Sequence, residues 1–360
     1  MTSFSMVDWD LALRTARNLV KPGPEISRSG AQQAVAELRS AADQAEGYVR
    51  SVTGLDTPGG TAPVLVVDRT GWIQANVDAF ADLTEPLSAK AAEKVRGSMW
   101  SGVGPKLTGA ELGAMLSYLA PKVLGQFDPF SPALPGRQAG RLLLVAPNIV
   151  AIERELKLAP RDFRLWVCLH EETHRVQFTA VPWLRTYMKS QVAEVVAATD
   201  FDTEAMAGML KRAARGIGEA VRGDSEISLL DLIQTPQQRV VVDRITAMMS
   251  LIEGHAEVVM DSVGPQIVPS VAEIRRKFDV RRQGHGADLV IRRLLGLDAK
   301  MRQYRDGARF CRHVIGAIGM DGFNRVWTSP ETLPARDEIA DPQLWVDRMY
   351  DAAATTPPVS

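Results

Sequence analysis

Residues 165–178 read LWVCLHEETHRVQF, and two of the chain's five histidines fall here, His170 and His174, with Glu171 between them. On an α-helix, side chains four residues apart stand one above the other, with Cβ atoms about 5–6 Å apart. That spacing lets two imidazoles converge on one Zn2+ at about 2.0–2.1 Å each. Glu171 projects beside them, close enough to reach a metal-bound water without becoming a ligand. Zinc lowers the pKa of such a water towards about 7, and a neighbouring carboxylate takes its proton as it attacks a carbonyl. Trp166, Val167, Gln177 and Phe178 share the histidine face and are expected to wall a largely dry pocket. The competing reading is an amphipathic helix that carries these residues in this order by coincidence. A helical segment bounded by Pro160 and Pro182, in a histidine-poor chain, favours the metal.

A third protein ligand must come from elsewhere, because Gln177 and Ala180 stand where the metzincin extension needs glycine and histidine. The stretch LIEGHAEVVMD at 251–261 is the strongest source. Its Glu253, Glu257 and Asp261 recur at i+4 steps, a carboxylate ladder on an otherwise apolar helix. We expect Glu253 to ligate, Glu257 to orient a ligating histidine through a hydrogen bond, and Gly254 to allow a close approach to the HEETH helix. A solvent-exposed acidic stripe is the alternative. His255 lies about 200° round the helix from Glu253 and is not expected to bind the same ion. His285 and His313 are spare candidates. For the oxyanion that develops in carbonyl hydrolysis, Tyr304 in KMRQYRDGARF is the preferred donor, ahead of His255 and Arg305.

The elements that must position these residues are mostly helical by periodicity. Residues 7–20 and 29–52 read as amphipathic helices separated by KPGPE. VLVVDR is a short strand, and GWIQANVDAFADL and TGAELGAMLSYLAPKVLG are helical, the latter with Thr108 as N-cap and Glu111 completing a capping box. FDPFSPALPGRQAG, with three prolines and two glycines, is the best boundary. RLLLVAPN is a second strand, with Asn148 expected to cap the following helix. Its edge is a candidate for pairing with an extended substrate, an interior position in the sheet being the alternative. From Pro182 the chain reads as helical to about residue 320, and WTSPETLPARDEI with DPQLW as irregular structure plus one short helix. The expected fold is mainly α (α+β) with a small β-sheet. Its regions are a helical 1–135, a metal-binding 136–350 and a frayed tail at 351–360.

Composition narrows the function. A 46% hydrophobic and 24% charged chain with a net charge of −1 has no basic field for nucleic acid. The arginine-rich runs IRRKFDVRRQ and VIRRLLG read as solvated helix faces. No apolar run reaches the roughly 18–20 residues of a membrane span. Cys168 and Cys311, in apolar helical patterns, are expected to be free buried thiols, as suits a reducing cytoplasm. No oligomeric state is implied.

HEETH followed downstream by EGHAE resembles the gluzincin pattern, in which the third zinc ligand is the glutamate of a later EG-x-A stretch; here that implies Glu253. More specifically, the chain resembles a bacterial zincin-like family of zinc-dependent metalloproteases and hydrolases, some associated with biosynthesis of a deazaflavin coenzyme. VDRTGW, LLLVAPNI, WVCLHEETHRVQF, LIEGHAEVVMD, KMRQYRDGARF and WTSPETLPARDEIADPQLW carry the likeness, over about residues 67–348. The resemblance implies a zincin-like helical catalytic core and a zinc hydrolase acting on a peptide or small amide. The glycine-x-methionine-glutamate-asparagine stretch of zinc aminopeptidases is absent. Cys168 lies on the wrong side of the helix, and Cys311 too far downstream, for a deformylase-type ligand. The remaining alternative is a non-catalytic, metal-stabilised or partner-binding protein on the same scaffold.

Overall fold

A computed structural model describes residues 5–57, 60–95, 100–133, 138–197, 236–282 and 297–354; side chains at 86–95, 100–103, 196–197, 236–237, 282, 297–305 and 351–354 fall outside that description. Among the described residues the fold is mainly helical with one three-stranded sheet. The chain divides into two compact units. One comprises Met1–Ser51, Asp56–Ala180 and Val263–Arg275, the other Val52–Leu55, Val181–Ser262 and Arg276–Ser360.

In the first unit, α1 (Trp9–Leu19) opens at Asp8, whose side chain accepts from the Leu11 amide at 2.9 Å. It packs on α3 (Arg69–Val95) and α4 (Trp100–Leu119). The long α2 (Arg28–Thr53) precedes β1 (Val64–Val67). The sheet order is β1-β3-β2, with β3 (Arg141–Val145) parallel to β1 and antiparallel to β2 (Gly125–Asp128). β3 therefore lies in the middle, buried from Leu142 to Val145, which overturns its reading as a substrate-pairing edge. Trp72, Ile73, Leu116, Leu143 and Val145 form the core beside it.

Two expected caps are corrected. Thr108 lies inside α4, which runs through Pro105, and its hydroxyl donates back to the Gly104 carbonyl at 3.0 Å. Asn148 is buried in the first turn of α5 (Ala146–Leu156). It donates to the carbonyls of Ala120 and Val123 and accepts from Arg69 Nε at 2.7 Å, thereby tying together the end of α4, α3 and α5. The Pro- and Gly-rich stretch expected to separate regions at 135 joins β2 to β3 within this unit.

The unit's central helix is α6 (Pro160–Ala180). It packs on α5, β2 and β3 and is buried on every side rather than amphipathic. Several of its buried polar groups are paired. Arg164 donates to both carboxylate oxygens of Glu153, at 2.6 and 2.9 Å, and to Glu37. Thr173 and Thr179 donate back to the carbonyls of Leu169 and Arg175.

The second unit contains α7 (Pro182–Ala197), α8 (Pro236–Val263) and α10 (Leu297–Phe323), which is broken at Gly319. The chain closes with two 3₁₀ turns, α11 (Arg336–Ala340) and α12 (Pro342–Ala354). α9 (Val271–Arg282) starts in the first unit and ends in the second. The C-terminal stretch is more ordered than its composition suggests: Trp345 is fully buried, stacks edge-on against Phe310 and donates to the Thr332 carbonyl at 2.9 Å. Arg348 grips Glu338 through two hydrogen bonds. Both cysteines are free and buried.

Candidate metal centre

His170 and His174 lie in the middle of α6, one turn apart as their spacing requires. Their Nε2 atoms are 3.2 Å apart, with the rings nearly perpendicular at 85°. His174 Nδ1 meets the Gln177 amide oxygen at 3.0 Å. With an oxygen as its partner, Nδ1 carries the proton and Nε2 presents a bare lone pair. Two nitrogens bound at about 2.0–2.1 Å to a tetrahedral zinc sit about 3.3 Å apart. The observed separation fits that chelate, and in the absence of an ion an Nε2–H on His170 would donate to His174 Nε2 over the same distance.

Glu253 lies on α8 and is part-buried, as is Glu257 one turn on, in a stretch whose other side chains are mostly buried. Glu253, in the second unit, is the carboxylate that the sequence puts forward to join His170 and His174. Two nitrogens and a carboxylate oxygen are a donor set that suits zinc.

Gly254, expected to allow an approach to the HEETH helix, lies against α10. A Cβ there would run into the backbone of Gly307, and one at Gly307 into the Ser250 carbonyl. The two helices thus touch backbone to backbone immediately beside Glu253. Glu257, expected to orient a histidine, faces Arg312 at 3.6 Å, and Asp261 pairs with the same guanidinium at 2.9 Å. Behind His174 stands Gln177, which the sequence placed on the histidine face as a pocket wall and not as a hydrogen-bond partner. Its i+3 spacing from His174 was the available signal.

Glu171 is 7% exposed and lies against β2. A Cβ built on Gly125 would come within 2.6, 2.7 and 2.8 Å of the Glu171 Cγ, Cδ and Oε1. The next residue, Glu172, is wholly buried and accepts from Arg175 Nε at 2.6 Å. Arg175 also donates to Glu46 at 2.8 Å and to the Ala62 carbonyl. Burial pushes the Glu172 carboxyl up to about 8, against the pull of Arg175, with Glu46 and Asp43 adding to the rise. The two adjacent glutamates therefore have different roles. Glu171 stands beside the histidines, whereas Glu172 anchors the helix.

Of the other candidates, His255 is fully buried between Phe323 and Trp327, with ring centroids at 5.1 and 5.5 Å, and serves in packing. His313 is exposed, with Gln343 as partner at 3.2 Å. Tyr304 and Arg305 belong to α10, but their side chains, like the whole of His285, lie outside the described residues. Trp166 stacks on Phe163 and Phe178 packs on Phe127, so both contribute to the core around the histidines.

The crystal structure of "a putative hydrolase with a novel fold" from Chloroflexus aurantiacus matches with a TM-score of 0.67 at 32% identity. The match covers 95% of this chain and 98% of that one. No match was found among curated proteins. No helix among the described residues is long and apolar enough to cross a membrane. A family model for zincin-like metallopeptidases matches residues 7–346. A pair of imidazoles set for zinc, together with a match that spans nearly the whole sequence, makes this chain a member of the zincin-like metallopeptidase family.

Proposed function

We propose that the protein is a zinc-dependent hydrolase that cleaves a peptide or small amide bond. His170, His174 and Glu253 would hold the metal, and Glu171 would act as the proton carrier. The observation that carries this reading is the pair of Nε2 atoms 3.2 Å apart, one of them fixed in the metal-binding tautomer by Gln177. Zinc, when bound, polarises a carbonyl oxygen and acidifies a water molecule. The chain's own residues do the rest. Glu171 accepts the proton from the attacking water and returns it to the leaving nitrogen, so that one carboxylate serves both halves of the reaction. Burial beside β2 restricts the positions from which it does so.

Tyr304 is proposed as the donor to the developing oxyanion. In its support, it stands one turn before Gly307, where α10 meets α8 beside Glu253. β2, an edge of the sheet and antiparallel to its neighbour, offers an extended substrate a strand to pair with.

Protein purified without chelators should contain about one zinc per chain by elemental analysis. Glu171→Gln should keep that metal while losing at least about 100-fold in turnover against a panel of peptides and small amides. Protein devoid of transition metal, or a glutamine variant as active as its parent, would sink the proposal.

A further inference from the structure

We propose that Gly125 is a positioning residue for Glu171: the absence of a side chain at this point of β2 creates the space in which the Glu171 carboxylate sits. The inference rests on the role proposed above for Glu171. The three heavy atoms nearest to a Cβ at Gly125 all belong to Glu171, its Cγ, Cδ and Oε1, at 2.6–2.8 Å. Real Cβ atoms essentially never approach so closely, so something must shift if a side chain is added. Gly125 does not have the left-handed backbone that would itself demand glycine. The requirement for glycine here comes from its neighbour rather than from its own torsions.

What would shift follows from what holds each partner. β2 is fastened on one side by its ladder with β3, where Gly125 faces Leu144 and the Val145 amide donates to the Leu124 carbonyl at 2.8 Å. The adjacent Gln126 accepts from Trp72 Nε1 at 2.7 Å and donates to Asn76 at 3.0 Å, tying the strand to α3. At the far end of the strand, Asp128 is paired with Arg141. On the other side, α6 is anchored through Arg164 to Glu153 and through Arg175 to Glu46. With both backbones fixed, the movable part is the Glu171 side chain, and a methyl group at 125 would swing its carboxylate away from where the glycine lets it rest. The two imidazoles, by contrast, are not among the three atoms nearest to a Cβ at 125.

The test is Gly125→Ala in the zinc-loaded protein, with crystal structures of parent and variant. The expected result is a displaced Glu171 carboxylate with β2 and both histidines unmoved. Zinc content should be unchanged, and turnover should fall about 100-fold with KM little altered, as a misplacement of about 1 Å can cause. Gly125→Ala should add no further loss in a Glu171→Gln background. As a check on whether the strand absorbs the alanine, denaturation midpoints of Gly125→Ala are also compared with and without Glu171→Ala; the cost of the alanine should vanish when the glutamate is gone. A variant in which β2 retreats and Glu171 stays, or in which turnover is unchanged, overturns the inference. If the parent hydrolyses nothing in the panel, the reading of function fails alone, and the structures and the denaturation cycle still decide the place of Gly125.

Discussion

His174 gains its metal-binding character from a neighbour on its own helix. Gln177 is fully buried, and its amide oxygen faces Nδ1 at 3.0 Å. A neutral imidazole left to itself exchanges between two tautomers, of which one has a proton on the nitrogen that must ligate. Holding that proton on Nδ1 avoids this cost. Gln177→Leu, which keeps the volume and removes the acceptor, should therefore weaken zinc binding about 10- to 100-fold in a competition titration against a chromophoric chelator. Gln177→Glu, which restores an acceptor, should recover most of the loss. A leucine variant that binds as tightly as its parent would show that the amide orients nothing. The motif told its own chemistry but not this support: HEETH names the groups meant for the ion, whereas a glutamine three residues on, though on the same face, reads as pocket wall until its hydrogen bond is known.

At the scale of elements, the placing of Glu253 depends on how α8 meets α10. Glycines at 254 and 307 let the two backbones touch, with Gly307 against Ser250 and Gly254 against Gly307 and Ala308. Alanine at either position would press a methyl group into backbone atoms that cannot turn aside. Such overpacking costs about 1–3 kcal/mol or more. Gly254→Ala and Gly307→Ala should each lower the unfolding free energy by an amount of that order, read as a lower urea midpoint at unchanged slope. The same substitution at Gly316, where a Cβ would meet nothing within 4 Å, should be neutral or slightly stabilising. Equal effects at all three sites would refute the close crossing. The long helices were legible in the sequence because their apolar period extends over several turns. β2 was not, since GQFD is four residues with no alternation and owes its existence to pairing with β3. The misplaced caps share a cause. Thr108 and Asn148 have side chains suited to capping, but α4 continues upstream through Pro105, and the amide of Asn148 is taken by three distant groups. Local propensity cannot register partners that only the fold provides.

For the molecule as a whole, the proposed ligands come from two stretches far apart in the chain, 170–174 and 253. A metal held by both would close a long loop of sequence, and ligand binding to the folded form alone stabilises it by mass action. At free zinc about 100-fold above its Kd this amounts to about 2.7 kcal/mol, rising to about 4.1 at about 1,000-fold. For a chain of this size such energies correspond to a melting-temperature change of several degrees. Chelation should accordingly lower the melting temperature by that amount. Zinc should restore it, but magnesium, which favours all-oxygen octahedral sites, should not. Glu253→Ala is the informative variant. If Glu253 ligates, its removal leaves two imidazoles that bind zinc weakly, and the melting temperature should become nearly insensitive to chelator and to added zinc alike. A Glu253→Ala protein that still gains the full increment from zinc would mean that another side chain completes the site, and the assignment of α8 as the source of the third ligand would fall.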